Sequence, residues 1–174
     1  MTVLDYIVLI VILASVASGA SKGIIKGVIS VASAIAGVIV AAHFYEYAGA
    51  LFSIFGMSER AASLVGFIAI FLLVILLGFV TTYALRKLLK VSRLSWADHL
   101  LGAAFGLLRG WLVCSALYLA LTAFPVKIDA VQRATFAPAL LEGTRVIAYL
   151  TSRELRERFF EGYENIKRMW DRKG

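Results

Sequence analysis

The polar positions of this chain fall in clusters separated by long apolar runs, without the narrow stripe of a water-covered helix. Sixteen residues without formal charge lie between Asp5 and Lys22, and sixteen more between Lys26 and His43. Twenty-five follow between Arg60 and Arg86, and seventeen between Arg109 and Lys127. About 20 mostly apolar residues suffice for a helix to cross a bilayer. The third run meets that length alone, and flanking residues such as Val3, Leu4, Phe44 and Tyr45 extend the first two. The pattern predicts an all-α polytopic membrane protein with about four transmembrane helices, over about 3–21, 24–45, 61–85 and 100–126.

Beyond residue 126 the pattern changes. Pro125 is expected to close the fourth helix, and Pro138 to interrupt the segment beyond it. Leu155, Phe159, Tyr163, Ile166 and Trp170 then recur at helical spacing against a face of Arg, Glu and Lys. This predicts an amphipathic helix over about 152–170, lying on the membrane surface or docked on a partner. Thr151 and Glu154 have capping-box spacing, Leu150 and Leu155 that of a hydrophobic staple, and Glu154/Arg158 and Glu164/Arg168 that of i,i+4 pairs. The chain thus divides into a transmembrane domain, 1–126, and a C-terminal tail, 127–174.

Composition strengthens the lipid reading. Hydrophobic residues make up 61% of the 174 positions and charged residues 17%, with mean hydropathy +0.86. Soluble domains run at about 45–50% and about 25%. So short a chain cannot hide that much apolar surface inside itself, so the expected partner is the lipid bilayer. Cys114 is the only cysteine, which excludes an internal disulfide and a cysteine-based metal site. The net charge of +7 follows membrane topology, so nucleic acid is not expected as a partner. Lys22 and Lys26 fill the first connection, and Arg86, Lys87, Lys90 and Arg93 the third. The second connection has only Arg60, beside Glu46 and Glu59. Segments 22–26 and 86–98 are therefore expected in the cytoplasm and both termini in the periplasm. The tail pulls against this, holding 10 of the 18 basic residues with 7 acids interleaved. Tyr6, Phe44, Tyr45 and Tyr47 fall at expected outer interfaces, Trp96 and Trp111 at inner ones. Asp5 and the absence of Lys or Arg before it make the first run a retained helix, not a signal peptide.

An internal repeat adds detail. Residues 19–27 read Gly-Ala-Ser-Lys-Gly-Ile-Ile-Lys-Gly and 102–110 read Gly-Ala-Ala-Phe-Gly-Leu-Leu-Arg-Gly. Both fit Gly-Ala-small-x-Gly-aliphatic-aliphatic-basic-Gly, so the domain reads as two parallel-repeat hairpins, 1–45 and 60–126. At four-residue spacing, Gly19, Gly23 and Gly27 form one expected helix-packing groove, and Gly102, Gly106 and Gly110 another. Such surfaces let helix backbones approach closely in lipid, within one chain or in a homo-oligomer. Asp98 and Arg109 lie eleven residues apart, within about 20° of one helix face. Lys26 occupies the repeat position equivalent to Arg109. These three charges are the candidate functional ones. Arg109 and Lys26 either snorkel to the headgroups or lie deeper, where Asp98 or another helix's acid would partner Arg109.

No nucleophile–base set, phosphate loop or metal-ligand cluster is readable. His43 and His99 are expected on opposite sides of the membrane, and Cys114 within the fourth span as inert packing. Catalytic residues, cofactors and metals are therefore not expected. With these residues laid out, the chain resembles the CvpA family, the colicin V production proteins of bacterial inner membranes. The resemblance covers about residues 1–126. It rests on Leu4-Asp5-Tyr6, Gly23-x-x-Lys26-Gly27, and the stretch Asp98-His99-Leu100-Leu101-Gly102-Ala103-Ala104-Phe105-Gly106-Leu107-Leu108-Arg109-Gly110. That stretch fits the family's D-x-h-h-G-x-x-F-G-h-h-R-G pattern. The resemblance implies a four-span inner-membrane protein needed for toxin production or export, with a general role in the envelope. It implies no catalytic residue. Two functions remain: a non-enzymatic scaffold or accessory working with other envelope proteins, and a small oligomeric channel or transporter.

Overall fold

The structure is a computed structural model that describes residues 2–54, 56–88, 96–124, 131 and 134–171, and their side chains except at 22, 24–26, 85–88 and 169–171. Helices dominate, and among the described residues there is no strand. Four long helices come first: α1 (Val3–Lys22), α2 (Ile24–Ser53), α3 (Glu59–Leu88) and α4 (Trp96–Ala123). Two shorter ones complete the order, α5 (Ala137–Ala148) and α6 (Arg153–Asp171). The first four each contain a stretch long and apolar enough to cross a membrane: Val3–Ser21, Gly27–Ser53, Glu59–Ala84 and Trp96–Ala123. Leu72, Leu73, Leu76, Leu77, Phe79 and Val80 of α3 are all exposed. A folded protein leaves a face of that kind for lipid.

Several boundaries differ from the sequence reading, for identifiable reasons. Helix α2 runs on to Ser53, not to about residue 45. Nothing in residues 46–53 breaks a helix, and the extension packs Gly49 against Ala62 and Ser63. Gly56, with φ +78°, then lets the chain reverse. Helix α4 starts at Trp96, four residues early, with Asp98 in its first turn beside the positive end of the helix dipole. It ends at Ala123; Pro125 lies outside the described residues. Pro138, expected to interrupt the chain, instead stands in the first turn of α5, where it has no helical N–H bond to lose. Helix α6 begins at Arg153, so Ser152 caps it by accepting the Leu155 N–H at 3.4 Å. The Thr151 hydroxyl donates to the Ala148 carbonyl instead, and Leu150 is 46% exposed, so the expected box and staple do not form.

The close helix pairs are α1 with α4 and α2 with α3. The two sequential hairpins are therefore chain connections, not packing units: consecutive α1 and α2 touch little. Along α2/α3, Gly66 meets Gly49 and Tyr45, Gly37 meets Phe71, and Gly78 meets Ser33. Along α1/α4, a side chain at Gly19 would run into Gly102 and Gly106, and one at Gly106 into Ser15 and Val16. The two middle helices, α2 and α4, meet directly: Gly27 lies on Phe105, and the Tyr45 and Phe124 rings stand 5.1 Å apart. The bundle is therefore filled along its centre, with α1 and α3 on its flanks.

The tail folds back on the bundle. Gly143 of α5 sits against the Trp111 indole and Gly162 of α6 against Thr122, so both helices lean on α4. Trp111, expected at an inner interface, is thus packed midway along α4. The apolar stripe of α6 is covered from within the chain: Leu155, Phe159 and Ile166 are buried, while the Trp170 side chain lies outside the described residues. Glu154–Arg158 and Glu164–Arg168 pair at 2.7 and 3.2 Å on its exposed side, each worth about 0.3–0.5 kcal/mol. Between α5 and α6, the Tyr163 hydroxyl donates to Glu142 at 3.0 Å, and Arg145 pairs with the same carboxylate at 3.0 Å.

This packing has two measurable consequences. Gly106→Val forces α1 and α4 apart and should destabilise the bundle by about 1–3 kcal/mol. Ala104→Val, on the exposed face of α4, should leave the unfolding temperature in detergent nearly unchanged. At Glu142, the Tyr163 hydroxyl and Arg145 hold the carboxyl below its ordinary range. Its contribution to α5/α6 pairing is therefore present above the unfolded-state pKa and is lost as pH falls through the lower, folded one. NMR titration should show the Glu142 midpoint rising in Tyr163→Phe; an unmoved midpoint would contradict the contact.

Candidate functional site

The two glycine motifs do not form separate grooves. Gly23 has φ +76° and ends α1, so residues 19–27 straddle a helix break while 102–110 lie inside α4. The break is sharp because Gly23 still donates to Gly19 O, and Gly27 donates to Gly23 O, both at 3.1 Å. All six glycines are buried, and the motifs meet each other. Gly19 and Gly23 face Gly102, Gly106 and Gly110 face Ser15, and Gly27 faces Phe105. Helices α1, α2 and α4 converge there.

Absent side chains leave a small pocket at this junction, about 20 Å³, which is enough for one water-sized group. Ser15, Ser18 and Gly19 of α1, Gly27 and Ser30 of α2, and Phe105, Gly106 and Arg109 of α4 line it. Arg109 is the fourteenth residue of α4, about 20 Å along the axis from Trp96. Arg109 therefore lies inside α4 and not at its start. Helical side chains lean toward the N-terminus, and Arg109 accordingly enters a pocket that Phe105 and Gly106 also line. No described carboxylate forms an ion pair with it. Asp98 lies about 16 Å earlier along the same helix, half-buried in the first turn. The structure therefore separates Asp98 from Arg109, and the Lys26 side chain lies outside the described residues. His99 joins this end of the bundle through Nδ1, 2.6 Å from the Ala20 carbonyl.

Ser15, Ser18 and Ser30 are not distinguished by the sequence. A signal exists at i,i+3 in α1, where Ser15 and Ser18 flank the face of Gly19, but serine is common in apolar helices and binds its own backbone. The far end of the bundle holds a second polar cluster. Asp5, 1% exposed, accepts hydrogen bonds from the Thr2 N–H at 2.6 Å and the Thr2 hydroxyl at 3.1 Å. Its other oxygen accepts the Phe136 N–H at 3.1 Å. The residue that opens α1 thus ties down the chain entering α5. Below it, Ser115, Tyr118 and Thr122 run along one face of α4, with Thr144 donating to the Ser115 carbonyl at 3.1 Å. Among the described residues, no group of three or more His, Cys, Asp or Glu could hold a metal ion.

The residues that carry the family resemblance are therefore structural neighbours: Asp5 locks the bundle at one end, and the Gly23 and Gly102–Gly110 motifs meet at the other. A family profile described as Colicin V production protein matches residues 4–145, from the α1 lock through most of α5. The chain belongs to that family. A colicin V production protein homolog of Haemophilus influenzae is 34% identical over 115 residues, covering 66% of this chain and 69% of the relative. The colicin V production protein of Escherichia coli K12 is 29% identical over 85 residues, covering 49% of this chain and 52% of the relative. No solved structure matches.

The Asp5 lock makes a direct prediction. Asp5→Ala leaves the buried Phe136 N–H without its acceptor, at a cost of about 1–3 kcal/mol. Hydrogen exchange at the Phe136 amide should accelerate while the Gly19/Gly102 contact stays protected. Unchanged exchange at Phe136 would show that the carboxylate does not hold this segment.

Proposed function

We propose that this family member is a non-enzymatic scaffold or accessory protein of the bacterial inner membrane, serving toxin production or export and envelope homeostasis. The observation that carries this reading is the direct contact of α2 with α4 at both ends of the bundle, through Gly27/Phe105 and Tyr45/Phe124. A channel within one copy needs a lumen where these helices meet. Helices α1 and α3 lie on the flanks and enclose none. The names of the relatives, both colicin V production proteins, support placing the activity in toxin production. The partners are the bilayer, further copies of the chain or other envelope proteins, met through the exposed faces of α1 and α3. The α6 stripe is already covered internally and is not the docking face.

Lys22 and Lys26 on one side, with Thr2, Asp5 and Phe136 together at the other, support cytoplasmic 22–26 and 86–98 segments and periplasmic termini. A C-terminal alkaline phosphatase fusion should be active, and an inactive fusion would invert the assignment.

Two measurements test the function. In-cell cross-linking from α1 or α3 positions should capture envelope proteins or a second copy, and isolated monomers in every condition would refute the scaffold. Liposomes containing the purified protein should pass no more ions or small solutes than empty ones. Protein-dependent flux would replace the scaffold with an oligomeric channel or transporter.

A further inference from the structure

The pocket at the α1/α2/α4 junction has a chemistry that the scaffold reading does not use. Its polar residues are Arg109, Ser15, Ser18 and Ser30. The guanidinium can only donate, and each hydroxyl can. No described acid pairs with Arg109, and residues 89–95, which connect α3 to α4 in the chain, contain no Asp or Glu. A cation within a membrane-spanning helix is costly unless it is partnered or reaches headgroups. Arg109 is half-buried, as are all three serines, so the site is not sealed from the bundle surface. Glycines at 19, 27 and 106 keep backbone, not side chains, around the opening, so an incoming group can approach closely.

We propose that this pocket binds a phosphate-bearing anion, with the Arg109 guanidinium holding the phosphate oxygens and Ser15, Ser18 and Ser30 donating to those left over. A planar guanidinium meets two phosphate oxygens at once, which a lysine cannot do. Only one oxygen fits within the water-sized space, so the anion enters oxygen-first and its remainder stays at the bundle surface. The source is a phospholipid headgroup of the leaflet on the 22–26 side or a soluble phosphate compound, and the chemistry is shared.

Two arms separate these sources. In maltoside, native mass spectrometry with added phosphatidylglycerol should show a bound lipid on the wild-type protein, held about tenfold more weakly by Arg109→Gln and by Ser15→Ala/Ser18→Ala. Arg109→Lys should lie between. In the second arm, inorganic phosphate is titrated without lipid and followed by isothermal calorimetry. Binding in the lipid arm alone assigns the site to a headgroup, and binding in the phosphate arm to a soluble anion. To guard against misfolded variants, phenylglyoxal modification of Arg109 is mapped by mass spectrometry in the unaltered protein. Whichever ligand binds should slow it severalfold. If neither ligand protects Arg109, and variant and wild-type proteins bind both probes equally, the assignment is overturned.

Discussion

Backbone contact between α1 and α4 is the constraint on which the other features of this protein rest. In lipid there is no hydrophobic gain from joining two apolar helices, because the tails already solvate them. Association must come from dispersion between closely matched surfaces. Gly19, Gly102 and Gly106 supply this by removing the side chains that would hold the axes apart. The same device recurs where Gly66 meets Gly49 in the α2/α3 pair. Leucines such as Leu72, Leu73, Leu76 and Leu77 of α3 are therefore free to point outward, the reverse of their place in a soluble bundle.

Joining α1 to α4 fixes the geometry at each end. At one end, Gly23 turns the chain within a single residue, which brings Gly27 onto Phe105 and seats α2 against α4. At the other, α1 delivers Asp5 beside Tyr118 and within reach of Phe136. The carboxylate is stabilised by three donors rather than by a cation, and those donors position the entry to α5. The tail then completes the surface of α4 with Gly143 over Trp111 and Gly162 over Thr122. Contacts distant in sequence thus depend on one pair of helices lying close enough together.

The spans were legible in the sequence because their signal is local: uncharged runs of sufficient length allow few other structures. The packing was not. Gly-Ala-small-x-Gly marks a surface but does not name its partner, and the repeat suggested equivalent hairpins where the fold joins the two motifs face to face. Helix ends set by tertiary contact were also missed, as in α2, whose last two turns owe their place to Ala62 and Ser63. Pro138 misled because proline breaks a helix interior yet suits a first turn, and only the helix start distinguishes the two. Of the three candidate charges, Arg109 lies in the pocket and Asp98 does not. Angular position on a helix wheel placed both on one face but ignored about 16 Å of rise between them.

The packing motif and the half-buried Arg109 are one feature. Arg109 stands three residues after Gly106, so it lies on the face where glycine has lowered the surface of α4, and leans back over the shallow ground this creates. Filling Gly106 with any side chain would close α4 off from Ser15 and Val16 and remove the floor of the pocket together with the helix contact. Set where it is, Arg109 shares a pocket with Ser15, Ser18 and Ser30, within a junction that membrane packing requires in any case. A lysine or arginine on the exposed face of α4, at Leu107 or Leu108, would have no such polar neighbours. The arrangement that holds the bundle together thus also supplies the polar neighbours of Arg109.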